Sequence, residues 1–232
     1  VPADAPDIPA LLAAATRAGH GLSALSPASC ALALGFDGLT LGLLNASGLE
    51  LVWYDPADTA GTAFEDLQYT LGEGPTLDAA RTGEPVLVAD LRDVPESRWP
   101  VLLSATRHKA PRTVKAVPLN LGAVHLGTLT GYRSTPGPLT RSQMAHLLAL
   151  AEGATAILTT PQGIRDMGSD EPLALHRAIV HQAAGALTVR LGLSVDQALI
   201  RLRAYAFTHN RPLQDVAHAV VHHHADLDAP LP

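Results

Sequence analysis

HRAIVHQAAGALTVRLGLSVDQALIRLRAYAFTHNRPLQDVAHAVVHHHAD, residues 176–226, decides how the last quarter of this chain folds. Apolar residues recur there at spacings of three and four, the period of helices that bury one face. The first helix spans 172–191, with Leu173, Val180, Ala184, Leu187 and Leu191 on one stripe and Gly192 ending it. Ser194, followed three residues later by Gln197, is a capping box for a second helix. Its inner face is Val195, Ala198, Leu199, Leu202 and Ala206. Pro212 suits the first turn of a third helix, which turns Leu213, Val216, Ala217, Val220 and Val221 inward. Very short turns join the three, so the segment reads as an all-α three-helix bundle over 172–226. The first helix carries a second stripe, Leu175, Ile179 and Ala186, and so has a face left for another surface.

Charge separates this bundle from the rest of the chain. The formal net charge of the 232 residues is −6, so bulk electrostatics does not draw the protein to polyanions. Between Arg177 and His224, however, five arginines (177, 190, 201, 203 and 211) face only Asp196 and Asp215. Seven histidines from His176 to His224 add to that excess when protonated. Guanidinium forks suit phosphate-like groups, and an exposed tyrosine ring suits stacking. Arg190, Arg201, Arg203, Arg211 and Tyr205 are therefore the candidate contact set. His218 and His222, one helical turn apart, can face one metal ion, but His222-His223-His224 cannot converge, and no metal site is expected.

Residues 1–160 alternate short strands with helices and read as α+β: an antiparallel sheet with flanking helices. Strands are expected at Ser29–Phe36, Leu39–Leu44, Leu49–Tyr54, Pro85–Val88, Thr113–Leu119 and Val124–Tyr132, with a hairpin turn at 120–123. A short helix is expected within Asp55–Leu67, another from Pro75 to Gly83, and a third over Ser97–Arg107. A long helix over Pro138–Thr160 places Met144, Leu147, Ala151, Ala154 and Leu158 in a two-heptad seam suited to dimerisation, together with Leu175 and Ile179. Residues 161–171 have the composition of a linker between the two domains.

The single cysteine, Cys30, excludes an internal disulfide and reads as a core thiol. Gly72-Glu73-Gly74-Pro75 lacks the Lys-Ser/Thr of a phosphate loop and reads as a turn. No nucleophile–base set or carboxylate pair has a motif context, so no enzymatic activity is expected. No apolar run approaches the roughly 20 residues of a membrane span, and the expected location is the cytoplasm.

Two ordered sets of residues resemble known domains. Leu71-Gly72-Glu73-Gly74-Pro75, Asp78-Ala79, Gly83-Glu84-Pro85-Val86, Asp90-Leu91, Trp99-Pro100, Pro118-Leu119, Gly122 and Leu126-Gly127 resemble the GAF domain of actinobacterial regulators. Gln182-Ala183-Ala184-Gly185, Ala198, Leu202-Arg203, Ala206, Arg211-Pro212-Leu213, Val216-Ala217 and Val220-Val221 resemble an ANTAR domain. The resemblance implies a GAF sensor controlling a dimeric ANTAR module that binds RNA stem-loops as a transcription antiterminator. It also implies an unidentified small-molecule ligand for the GAF domain and no cofactor. Ala183, Ala198, Ala206 and Ala217 fall at family positions suited to close helix packing, and Gly185 to close backbone approach. Thr76 stands where relatives often carry Cys, which argues against thiol-based sensing. Two rival readings are a helix-turn-helix DNA-binding regulator and a GAF-fold enzyme or protein-interaction module. The last helix offers only Gln214 and Asp215 near its start, a poor recognition helix.

Overall fold

The computed structural model describes residues 8–18, 21–45, 48–106, 111–161 and 177–222. The elements run α1 (Ile8–Ala18), α2 (Pro27–Leu34), β1 (Gly38–Asn45), β2 (Gly48–Tyr54), α3 (Thr59–Leu71), α4 (Pro75–Thr82) and β3 (Val86–Val88). There follow α5 (Pro100–Thr106), β4 (Thr113–Leu121), β5 (Val124–Arg133) and α6 (Arg141–Leu158), then α7 (Ala178–Leu191), α8 (Val195–Thr208) and α9 (Leu213–Val221). The five strands form one antiparallel sheet in the order β2-β1-β5-β4-β3. One face, with Leu39, Leu41, Val117, Leu119 and Leu129, packs under α1, α2 and α6. The opposite face, with Val86, Val88, Val114 and Ala116, packs with Phe64 of α3, Ala79 of α4, Trp99 just before α5 and Leu102 within it. The C-terminal helices close a separate core around Val180, Ala183, Ala184, Leu187, Leu202 and Ala217.

Most expected elements are present, with four corrections. Ser29–Phe36 is a helix rather than a strand. The Ser26 hydroxyl accepts from Ser29 N (3.2 Å), Pro27 opens the first turn, and Gly35 closes the helix at φ +72°. Those caps outweigh the alternation of apolar residues between them, and Cys30 is buried on the inner side. Second, the helix expected within Asp55–Leu67 is 13 residues long and runs on to Leu71, capped by Asp58. Third, the α6 stripe is taken up inside its own domain. Leu147, Ala151, Ala154 and Leu158 are buried against the sheet, α1 and α2, while Met144 is half-buried. A 3-4 repeat is shared by a dimer seam and by any helix packed on a sheet, and here the sheet is the partner. Fourth, Gly185 does not pack within the bundle: it is exposed, and a Cβ there would meet nothing within 4 Å. Leu175 and the proposed linker residues 162–171 lie outside the described residues.

The capping boxes Thr140–Gln143 on α6 and Ser194–Gln197 on α8 are both formed. The LGEGP segment is a turn: Gly72 (φ +73°) ends α3, and Gly74 (φ +138°) leads into Pro75 of α4. Glu73, at the centre of that turn, accepts from Val101 N and Leu102 N, both at 2.7 Å, and so caps the start of α5.

Two glycines separate packing from exposure. A Cβ at Gly61 of α3 would lie 1.5 Å from the Tyr132 hydroxyl oxygen, which is hydrogen-bonded to Asp58. Gly61→Ala should therefore cost about 1–3 kcal/mol in urea unfolding. Gly185→Ala, in the open interior of a helix, should instead stabilise the chain by up to about 1 kcal/mol. A loss of stability at Gly185 would show that the position is covered.

Candidate functional site at the domain junction

Helix α3 has two working faces. Glu65 and Gln68 point into the N-terminal domain, whereas Asp66 and Tyr69 meet the C-terminal bundle. On the inner face, Glu65 is 3% exposed, and its Oε1 accepts from the hydroxyls of Thr40 (3.1 Å) and Thr76 (3.0 Å). Gln68 Nε2 donates to Glu65 Oε2 (3.2 Å) and to Thr76 Oγ1 (3.0 Å), and Gln68 Oε1 accepts from Thr76 N (2.9 Å). Thr130 donates its hydroxyl to Thr76 Oγ1 (3.2 Å), which ties the network to the sheet. Burial outweighs these hydrogen bonds and pushes the Glu65 carboxyl up to about 7.

The outer face of α3 receives α7. Arg177, 2% exposed, immediately precedes that helix. Its backbone N donates to Glu50 Oε1 (2.7 Å), so a carboxylate from β2 sits at the helix N-terminus. Its Nη1 donates to Leu49 O (3.0 Å), and its Nη2 lies 2.8 Å from Asp66 Oδ1. One turn along, His181 Nε2 lies 3.0 Å from Glu50 Oε2. Gln214 of α9 donates to Asp66 Oδ2 (3.2 Å). Two guanidinium groups lie over the Tyr69 ring, Arg177 at 4.3 Å and Arg203 at 4.1 Å from its centroid.

The candidate contact residues are thus divided. Arg203 faces the junction, not the open surface. Arg190, in the last turn of α7, is exposed, and Arg201 is half-exposed on α8. Tyr205 is half-buried and stacks on His209, with centroids 3.9 Å apart and planes 17° from parallel. Arg211 is exposed in the turn before α9, on the rim of a groove of about 580 Å³ between α3 and the α8–α9 turn. Ala183, Ala198, Ala206 and Ala217 are all at most 1% exposed, and Ile179 is half-buried against the bundle core. His218 and His222 rings lie parallel, 6.2 Å apart. Among the described residues, no single helix is long and apolar enough to cross a membrane.

Two family models match the chain in the same two blocks. A GAF domain covers residues 14–159, and an ANTAR domain covers residues 174–221. The chain belongs to the GAF-ANTAR regulators. That pairing is the architecture of signal-sensing, RNA-binding antitermination regulators. Solved structures share the GAF fold. The GAF domain of a phosphoenolpyruvate-protein phosphotransferase from Coxiella burnetii is 18% identical, with a TM-score of 0.50 over 72% of this chain and 99% of its own. The corresponding Acinetobacter domain is 12% identical, covering 71% and 95%, with a TM-score of 0.49. Free methionine-R-sulfoxide reductase from Neisseria meningitidis is 16% identical, covering 65% and 84%, with a TM-score of 0.46. A search of curated proteins finds no match.

The sequence patterns did not single out Arg177, Tyr69, Asp66, Glu50 or His181. The available signal was the pair Asp66 and Tyr69, three residues apart on one helix face, an acid and an aromatic suited to an arginine.

Arg177→Ala should destabilise the full-length GAF-ANTAR chain by about 3 kcal/mol, because Asp66 and Leu49 O lose the buried guanidinium that pairs with them. Arg177→Lys should recover little, since an ammonium cannot reach three partners in a fixed plane. Thermal or urea unfolding checks both. Glu65 sets a pH dependence. Its folded value, about 7, lies above the ordinary 4.5, so its contribution is full below 4.5 and is lost as pH rises through 7. The urea midpoint should fall between about pH 5 and pH 8 in the natural chain, and Glu65→Gln should flatten that slope.

Proposed function

We propose that this GAF-ANTAR protein is a cytoplasmic, signal-gated antiterminator whose sensor holds part of the RNA-contacting surface against itself. The observation that carries this reading is Arg203. A guanidinium of the candidate contact set lies on Tyr69 of the GAF domain, beside Arg177, which is paired with Asp66. In the released state, Arg203 joins Arg190, Arg201 and Arg211 on the phosphates of an RNA stem-loop, and Tyr205 stacks on an unpaired base. A small-molecule signal taken up by the GAF domain shifts α3, whose inner face carries the Glu65 network and whose outer face carries Asp66 and Tyr69. The linker over 161–171 then joins the released bundle to the sensor.

Two copies acting together place two bundles on two stem-loops and raise affinity through effective concentration. With the α6 stripe committed to its own core, the second copy docks on the open side of α7. There Ala178, Gln182, Gly185 and Val189 are exposed at 4-3-4 spacing, and Val189 is 86% exposed.

Gel-shift titrations should show preference for tandem-hairpin RNA over duplex DNA of the same length. Equal affinity for the two would remove the antiterminator reading. Tyr69→Ala removes the docking ring, worth about 1–2 kcal/mol per stacked cation, and should tighten RNA binding by about tenfold. Adding Arg203→Ala to that variant should weaken binding again and lower the salt slope by about one phosphate contact.

A further inference from the structure

The Arg177 guanidinium is paired with the carboxylate of Asp66. Among the described residues no acid pairs with Arg203, and its Nε is buried without a hydrogen-bond partner. Its guanidinium is held in place by Tyr69, and Nη2 lies 3.7 Å from where a side chain at Gly48 would begin. A second arginine reaches the same place from the other domain. Arg81, in the last turn of α4, donates Nη1 to Gly72 O (3.0 Å), which anchors it at the α3–α4 turn. Arg81 and Arg203 line one cavity of about 240 Å³, together with Tyr69, Leu44 and the backbone at Gly48 and Gly72. Among the described residues that form this cavity there is no carboxylate.

Two guanidinium groups on one partly enclosed cavity repel each other, and the buried Nε of Arg203 has no acceptor. A polar group removed from water without a partner is costly, and a charged one more so. An oxyanion answers both deficits, because its oxygens accept from two planar forks at once while its charge offsets theirs. The cavity is smaller than the 300–1,000 Å³ or so of drug-sized sites, which suits a single phosphate-type group. We propose that Arg81 and Arg203 together bind a phosphate-type oxyanion at the junction, as the free ion or as the phosphate of a small nucleotide. Arg81 belongs to the GAF domain and Arg203 to the ANTAR domain, so the bound anion ties one to the other and favours the docked state. That consequence rests on the gating reading above, whereas the site itself does not.

The test is a calorimetric titration of the full-length chain with inorganic phosphate, at ionic strength held constant with chloride. The natural chain should bind one phosphate per chain. Arg81→Gln and Arg203→Gln should each weaken binding tenfold or more. Arg81 is exposed, so its variant should keep the natural chain's circular dichroism and its melting temperature in phosphate-free buffer. No saturable binding, or undiminished binding in folded Arg81→Gln, would overturn the site. A parallel titration with adenosine monophosphate identifies the source: tighter binding than phosphate marks a nucleotide, and equal or weaker binding marks the free ion. Hairpin-RNA affinity is then measured with and without phosphate. It should fall with phosphate in the natural chain and stay constant in Arg81→Gln. Saturable phosphate binding with unchanged RNA affinity would keep the site and overturn its role in docking.

Discussion

The structure depends on one buried cation. Arg177 enters the junction with its side chain almost fully covered, which is tolerable only because Asp66, Leu49 O and the Tyr69 ring surround its guanidinium. Its backbone N–H meets Glu50, so the same residue fixes the side-chain pairing and the start of α7. Removing Asp66 leaves the Arg177 charge uncompensated in the interior. The placement of the whole ANTAR bundle on the GAF domain therefore turns on a few atoms. A contact of this kind is strong while complete and weak once one member moves, which is the property a switch needs.

Helix α3 connects that contact to the sensor's interior. Its inner side chains, Glu65 and Gln68, belong to a hydrogen-bonded network with Thr40, Thr76 and Thr130, and its outer ones hold the two arginines. A change in hydrogen bonding at Glu65 is one residue from Asp66 and one helical turn from Tyr69. Coupling between signal and RNA surface needs no longer path than this helix.

Much of this was legible in the sequence. The three-helix bundle is legible from periodicity and caps alone, because Ser194–Gln197, Gly192 and Pro212 punctuate stripes that only a helix can bury on one side, whereas its ANTAR character rests on the resemblance. The resemblance supplied the GAF fold in advance, and the sheet, the LGEGP turn and the β4–β5 hairpin follow it. Misreadings came where one pattern serves two structures. Alternating apolar residues after Ser26-Pro27 suggested a strand, although the flanking caps specify a helix. The α6 stripe has the spacing of a dimer seam and equally of a helix laid on a sheet, and spacing does not name the partner. Spacing places Arg203 beside the buried stripe, but periodicity cannot show that Tyr69, 134 positions earlier, covers it. Long-range pairings of this sort leave no local trace.

The central claim is that docking on α3 and binding to RNA compete for the same bundle. Amide hydrogen exchange of the full-length chain, with and without saturating tandem-hairpin RNA, tests it most directly. Competition requires faster exchange in α3 and β2, at residues 48–71, when RNA is bound, because the cover provided by Arg177 and Arg203 is gone. Unchanged or slower exchange in those segments, with RNA demonstrably bound, would contradict it.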